Sequence, residues 1–379
     1  MAGCTISARL TDGRAEPYPA RVRVDAEGVV ESVEHLESSP DKLGVVAPGL
    51  VDVHNHGGAR GAFPTGTLGE CRQAAEFHRQ QGSVHLLASL VSGTEEELTR
   101  QVGVLAPLVA EGVVDGIHLE GPFIHTAKCG AQAPDRIQDG DPAMLRRILE
   151  RGAGTVRQLT FAPETPNARA LVDVCVEYGV IVSLGHTTAD FATTAGVLDY
   201  AVARGATVTA THLFNAMPPL HHRQPGAVGA MLAAAVRGEA AVEAIGDGVH
   251  LADGTVDVIA SCAGEGLVLV TDAMEAAGMP DGAYRLGPLD VVVAGGVARL
   301  AGVGGAIAGG TSTLAQQFVR FSARHGAAAA ARAAAMNPGR LLSLDQARGL
   351  QVGQPAEFVE FDPAGAVRTV FAGGTRLRG

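Results

Sequence analysis

The chain is poor in positive charge. Only two of its 379 residues are lysine, Lys42 and Lys128, and no basic run occurs against a formal net charge of −11. Nucleic-acid binding is excluded as a working reading, because neutralising phosphates takes clustered Lys and Arg. The five cysteines, Cys4, Cys71, Cys129, Cys175 and Cys262, are odd in number and widely spaced. They make no disulfide framework and point to a reducing cytosol. No basic segment followed by an apolar one opens the chain, so no signal peptide is read. Apolar runs such as 267–270 are far too short to span a bilayer. No G-x-G-x-x-G follows any strand-like run, which argues against a dinucleotide-binding open sheet. These absences leave a soluble, cytoplasmic protein without nucleic-acid or membrane partners.

What is present is apolar and periodic. Hydrophobic residues make up 46% and charged residues 18%, enough for a large buried core. Residues 1 to about 46 read as short strands, with alternation over 21–24 and 28–33, and the C-terminal end repeats that texture over 356–361 and 367–371. The two ends are expected to form one small β-sandwich domain, 1–47 with 350–379, around a middle domain, 48–349. In the middle, apolar runs alternate with helical stretches at 68–81, 95–111, 142–152 and 167–178. The runs lie at 51–53, 84–88, 114–119, 156–161, 180–184, 207–210, 241–245 and 267–270. Eight βα repeats predict an α/β fold, a (β/α)8 barrel, whose active site lies where the C-terminal ends of the strands converge.

The first run ends in His54 and His56, which alternation places on one face. Alone, that pair is compatible with a metal site or with ordinary polar residues at a strand end. Later runs end in Glu120, His186, His212, His250 and Asp272. A carboxylate, several imidazoles and a last-strand aspartate converging at one barrel mouth have the composition of a metal-dependent hydrolase site. Glu120, between Leu119 and Gly121-Pro122, is poorly placed for solvated surface. His118 could equally be a core histidine bonded to backbone, and His35, His78 and His85 are read as structural.

These segments together resemble the amidohydrolase superfamily and, within it, the N-acetylglucosamine-6-phosphate deacetylases. The likeness covers nearly the whole chain. It rests on 48–57 (Pro-Gly-Leu-Val-Asp-Val-His-Asn-His-Gly), 118–123 (His-Leu-Glu-Gly-Pro-Phe), 184–187, 211–217 (Thr-His-Leu-Phe-Asn-Ala-Met), 222–226, 247–250 and 271–274, in that order and spacing. The resemblance implies hydrolysis of the acetamide of N-acetylglucosamine 6-phosphate to acetate and glucosamine 6-phosphate, in amino-sugar catabolism and cell-wall sugar recycling. It implies one or two divalent metals: one held by Glu120, His186 and His212, a second by His54 and His56. Zinc leads, with iron, manganese and cobalt also compatible with such ligands. It makes Asp272 the proton carrier. It assigns substrate contacts to Ala131, Gln132, Asn215, Ala216, Arg223, His250 and the turn Ile307-Ala308-Gly309. Arg223 and His250 are expected to meet the phosphate across the interface of a homodimer.

One position departs from the family pattern. Relatives commonly carry a histidine where this chain has Gln132, and glutamine can donate a hydrogen bond but carries no charge. Three rivals stand beside the reading. A dihydropyrimidinase-type cyclic-amide hydrolase needs a carboxylated lysine at a barrel strand end, where neither Lys42 nor Lys128 falls. A deacetylase for N-acetylgalactosamine 6-phosphate would share most contacts. A non-catalytic sugar-phosphate-binding barrel would be marked by lost ligands, and here all five are present with Asp272.

Overall fold

A computed structural model describes residues 3–37, 43–302, 305–344 and 349–379; Lys42 lies outside them. Eight strands form one sheet in chain order: β1 (Leu50–Asn55), β2 (Ser83–Leu90), β3 (Gly116–Glu120), β4 (Val156–Phe161), β5 (Ile181–Leu184), β6 (Val208–Ala210), β7 (Ala241–Ala244) and β8 (Leu267–Leu269). From β2 to β8 each neighbour is parallel to the next. Beyond their last residues β8 and β1 meet again. Asp272 N–H donates to the His54 carbonyl at 2.9 Å and His56 N–H to the Ala273 carbonyl at 2.7 Å. The sheet is a nearly closed barrel, as the eight repeats predict, and each expected run holds its strand.

The strands are buried on both faces, as central parallel strands are, their outward side apolar and part of their inward side made of polar groups such as Ser89, His118, Thr160, Ser183 and Glu243. Every residue of β1 is buried. The connecting helices carry one apolar stripe each. On α2 (Glu95–Ala110), Leu98, Val102, Leu105 and Leu108 are buried at helical spacing, and Thr94 with Glu97 forms a capping box at its start. On α3 (Pro142–Gly152), Asp141 caps the first turn ahead of Pro142.

The chain divides into two compact units: 53–75 with 86–312, and 1–52 with 76–85 and 313–379. The second holds a seven-stranded sheet drawn from both ends, in which Cys4–Leu10, Tyr18–Val24, Val30–His35 and Val45–Pro48 join Phe358–Phe361, Val367–Ala372 and Thr375–Arg378. Its pairings are antiparallel apart from Cys4–Leu10 beside Val45–Pro48. Cys4–Leu10 and Thr375–Arg378 are additions to the strands read from sequence. His35 stacks on Tyr18, and His85 lies 3.2 Å from Glu357.

In the first unit, a three-stranded antiparallel sheet (Gly282–Leu286, Leu289–Ala294, Val297–Leu300) was not anticipated. Tyr284, Leu286, Val291 and Val293 alternate inward onto Met274 and Ala308. No helix among the described residues is long and apolar enough to cross a membrane.

The C-cap of α3 is Ala153, exposed and left-handed at φ 46°, ψ 45°. Glycine takes that conformation without steric penalty. Ala153→Gly is therefore expected to stabilise the protein by about 0.5–1 kcal/mol. Denaturant unfolding checks this, and unchanged or lowered stability would contradict the strain.

Candidate metal centre at the barrel mouth

The predicted ligands converge. His186 Nε2 and His212 Nε2 lie 2.8 and 2.9 Å from the same oxygen of Glu120, Oε1, and 3.1 Å from each other. On the other side, His56 Nε2 is 3.3 Å from Glu120 Oε2 and 3.1 Å from His54 Nε2. Asp272 Oδ1 closes this half, 3.2 Å from His56 Nε2 and 3.5 Å from His54 Nε2. Two groups of three ligand atoms result, His54-His56-Glu120 and Glu120-His186-His212, sharing one carboxylate.

Hydrogen bonds behind the rings decide which nitrogen faces the centre. His186 Nδ1–H donates to the Lys128 carbonyl at 2.7 Å, His56 Nδ1–H to the Ser89 carbonyl at 3.1 Å, and His54 Nδ1–H to Glu243 Oε2 at 3.1 Å. Each ring, when neutral, therefore turns a bare Nε2 lone pair towards Glu120, the arrangement found in metal-ligating histidines. The donor set fits a divalent cation of the zinc type. Lys128 takes no bridging role; its ammonium donates to the Met217 carbonyl at 3.2 Å.

Three of these residues sit in strained backbone. His186, His212 and Asp272 have φ of 48°, 25° and 48°. That region is costly for a side chain bearing Cβ, roughly 1–3 kcal/mol each. Each lies where its strand ends, and the turn swings the side chain across the barrel mouth. Fixed partners hold the strain: His212 N–H donates to Glu243 Oε2 at 3.2 Å, and the His186 carbonyl accepts from His125 N–H at 2.9 Å.

Electrostatics follow from burial without a basic side chain. Among the described residues, no Lys or Arg lines the cavity. Burial opposes charge on Glu120, but the imidazoles of His186 and His54 hold its carboxyl well below the usual range. Burial likewise opposes ionising Asp272, yet His54 and His56 bring it down to about 2. For His54 burial works against a proton, and the carboxylates of Asp272 and Glu120 outweigh it, raising the ring well above its ordinary value. His56 moves the same way, its burial outweighed by Asp272 and Glu120. His118 goes down, through burial first and then the neighbouring His54. It bonds to Ser89 Oγ at 3.0 Å and Thr160 Oγ1 at 2.8 Å, a core histidine rather than a ligand.

A cavity of about 260 Å³ opens beside the cluster. Ala131, Gln132, Asn215, Ala216, His250, Ile307 and Gly309 line it with His56, Glu120, His186, His212 and Asp272. One expected member does not: Ala308 is buried, its N–H on the Ala298 carbonyl at 3.0 Å. Arg223, expected to reach the phosphate from a partner subunit, is exposed outside this chain's cavity. His250 lines the cavity of its own chain, so reaching it does not require a second subunit. Its ring bonds Asp247 at 2.8 Å. Gln132 Oε1 accepts from Ser92 N–H at 2.8 Å, while its Nε2 is buried with no hydrogen-bond partner among the described residues. The unanticipated sheet explains the strap over 306–310. Leu300 and Ala298 pair with it, and Gly310 N–H donates to the Asp272 carbonyl at 2.6 Å. At Gly309, φ is +75° and a Cβ would lie 2.9 Å from that carbonyl, so glycine is required.

The family model described as amidohydrolase family matches residues 45–377. The chain belongs to the amidohydrolase family. Among solved amidohydrolase structures, the N-acetyl-D-glucosamine-6-phosphate deacetylase of Mycobacterium smegmatis, an aspartate-to-alanine variant in complex with N-acetyl-D-glucosamine-6-phosphate, superposes with a TM-score of 0.91. It is 39% identical, over 100% of both chains. The N-acetylglucosamine-6-phosphate deacetylase of Lysinibacillus sphaericus is 34% identical over 76% of this chain and 72% of its own. The N-acetylgalactosamine-6-phosphate deacetylase of Escherichia coli O157:H7 is 30% identical over 92% of each.

Because His54 and His56 hold protons above the ordinary imidazole pKa, a cation must displace them. Below the raised values, apparent metal affinity is expected to fall about tenfold per pH unit for each proton displaced. Chelator competition across pH measures it, and a flat profile would remove these rings from the ligand set.

Proposed function

We propose that this amidohydrolase removes the acetyl group of N-acetyl-D-glucosamine 6-phosphate, giving acetate and D-glucosamine 6-phosphate. The observation that carries the chemistry is the shared carboxylate of Glu120. It stands between two imidazole pairs, beside an ionised aspartate, at the wall of a cavity large enough for a small molecule. The likeness to deacetylases at 34% and 39% identity over most of the chain supports the substrate class.

In this reading Glu120, His186 and His212 hold the principal cation, zinc by preference, and His54 with His56 a second. A divalent ion bound there supplies Lewis acidity, making water a better nucleophile and the acetamide carbonyl a better electrophile. Asp272, ionised near neutral pH, accepts the proton of the attacking water. As the carbon–nitrogen bond breaks, it hands that proton to the departing amine. Gln132 offers its Nε2–H₂ to a substrate oxygen, with the amide held from behind by Ser92. Being neutral, that donor keeps the same strength across the working pH range. Asn215, Ala216 and His250 position the sugar phosphate, and the turn at 307–309 closes over it. Arg223 meets the phosphate from the partner subunit of a homodimer, and the enzyme works in the cytoplasm. The ends of the chain, 1–47 and 350–379, form a domain apart from the barrel at 48–349.

The relative named for N-acetylgalactosamine 6-phosphate favours a second reading, because the sugars differ only at one hydroxyl. Acetate release from both 6-phosphates, measured side by side with metal analysis of the purified protein, separates them. Faster turnover of the glucosamine isomer supports the first reading, and the reverse order supports the second. A metal-free, inactive protein would favour a non-catalytic binding barrel.

Asp272→Asn should fold and keep its metal but lose deacetylation by about 10²–10⁴-fold. Turnover close to that of the unaltered enzyme would sink the assignment. Arg223→Ala and Asp272→Asn subunits, each inactive alone, should regain activity when mixed and allowed to exchange. No recovery would place Arg223 outside the partner's site.

A further inference from the structure

Glu243 lies in the middle of β7 and is completely buried. Its carboxylate collects donors from three other places in the barrel. Oε2 accepts from His54 Nδ1–H of β1 at 3.1 Å and from the backbone N–H of His212, beyond β6, at 3.2 Å. Oε1 accepts from Gln158 Nε2–H of β4 at 2.7 Å. One side chain thus touches a member of each ligand triplet: it fixes the ring of His54 and the strained backbone of His212.

We propose that Glu243 is a positioning residue that holds both halves of the metal centre in register, orienting His54 through its Nδ1–H and His212 through its backbone N–H. This rests on the reading of the barrel mouth as a metal site. The contrast with the other rings carries it. His56 and His186 lean on backbone carbonyls, which the fold supplies whatever the side chains are. Among the described residues, His54 alone of the four ligand rings leans on a carboxylate, and that carboxylate also accepts from the backbone N–H of His212, whose own Nδ1 has no hydrogen-bond partner among them. A buried carboxylate accepting three hydrogen bonds satisfies every donor around it. An apolar side chain of similar size leaves all three donors without an acceptor. A carboxamide would not, because Gln158 can turn its amide to present Oε1, which has no hydrogen-bond partner among the described residues, to a nitrogen placed there. Without an acceptor behind the ring, nothing fixes the His54 proton on Nδ1, and on Nε2 it occupies the atom that must be bare to bind a cation.

Co²⁺ titration of full-length Glu243→Leu against a competing chelator tests this, with the cobalt absorption spectrum as second readout. Affinity is expected to fall about 10–100-fold, the usual consequence of losing the partner behind a ligating histidine, with an altered spectrum and unaltered circular dichroism. Wild-type affinity and spectrum in the variant would overturn the role of Glu243 alone. Failure of the unaltered protein itself to bind Co²⁺ would overturn the metal reading and this role with it. Should the variant not fold, the metal-free wild-type protein still decides. The His54 Nδ1 proton should give a slowly exchanging, downfield NMR signal that His54→Asn removes. Its absence would count against the hydrogen bond.

Discussion

Charge buried without a basic partner governs the mouth of this barrel. Glu120, Asp272 and Glu243 sit within one cluster of imidazoles, and among the described residues neither lysine nor arginine lines the cavity beside it. Stripping carboxylates of water costs several kcal/mol each unless opposite charge and hydrogen bonds replace the solvent. The imidazoles provide that replacement in two ways. With protons they are the counter-charge, which is why His54 and His56 are pushed upward while Glu120 and Asp272 are pushed down. With the Nδ1 protons of His54, His56 and His186 pinned behind them, they can pass the role to a cation. The same geometry therefore stabilises the carboxylates and prepares the metal site.

The barrel supplies this arrangement by two devices. Inside, hydroxyls and one imidazole tie strands together: His118 of β3 to Ser89 of β2 and Thr160 of β4, and Thr211, just past β6, to Thr160 of β4 and Ser183 of β5. These bonds hold β2 to β6 in register with one another. At the top, the left-handed turns at His186, His212 and Asp272 bend the chain abruptly so that their side chains cross the axis. Residues in such a conformation persist only where surrounding contacts over-determine them. Here the over-determination is visible in the strap at 306–310, whose Gly310 N–H grips the Asp272 carbonyl.

Much of this was legible in the order of residues. The eight strands could be read because each is a short apolar run, and the ligands because each run gives way to a polar residue where a barrel gathers its active site. What was missed lacked those cues. Glu243 stands in Ala-Val-Glu-Ala, which reads as an ordinary alternating strand with a solvated carboxylate; only barrel closure turns that side chain inward. The sheet over 282–300 carries its own signals, alternation at Val291 and Val293 with glycine at 287 and at 295–296. Ala308 is expected in the cavity by family likeness, a guide that gives chain position without saying which side chains reach the pocket.

His54 and His56 gain a different weight from the structure. By ligand count they are the dispensable half, since Glu120, His186 and His212 form a complete triplet without them. By connectivity they are not. His54 and His212 share one oxygen of Glu243, and both triplets share Glu120. A displacement in one half is therefore transmitted to the other through two carboxylates rather than through the metal. His56 also lies 3.2 Å from Asp272, so the H-x-H pair helps keep that carboxylate ionised as well as completing a second ligand set. Removing that pair would therefore alter the ionisation of Asp272, even with the principal triplet intact.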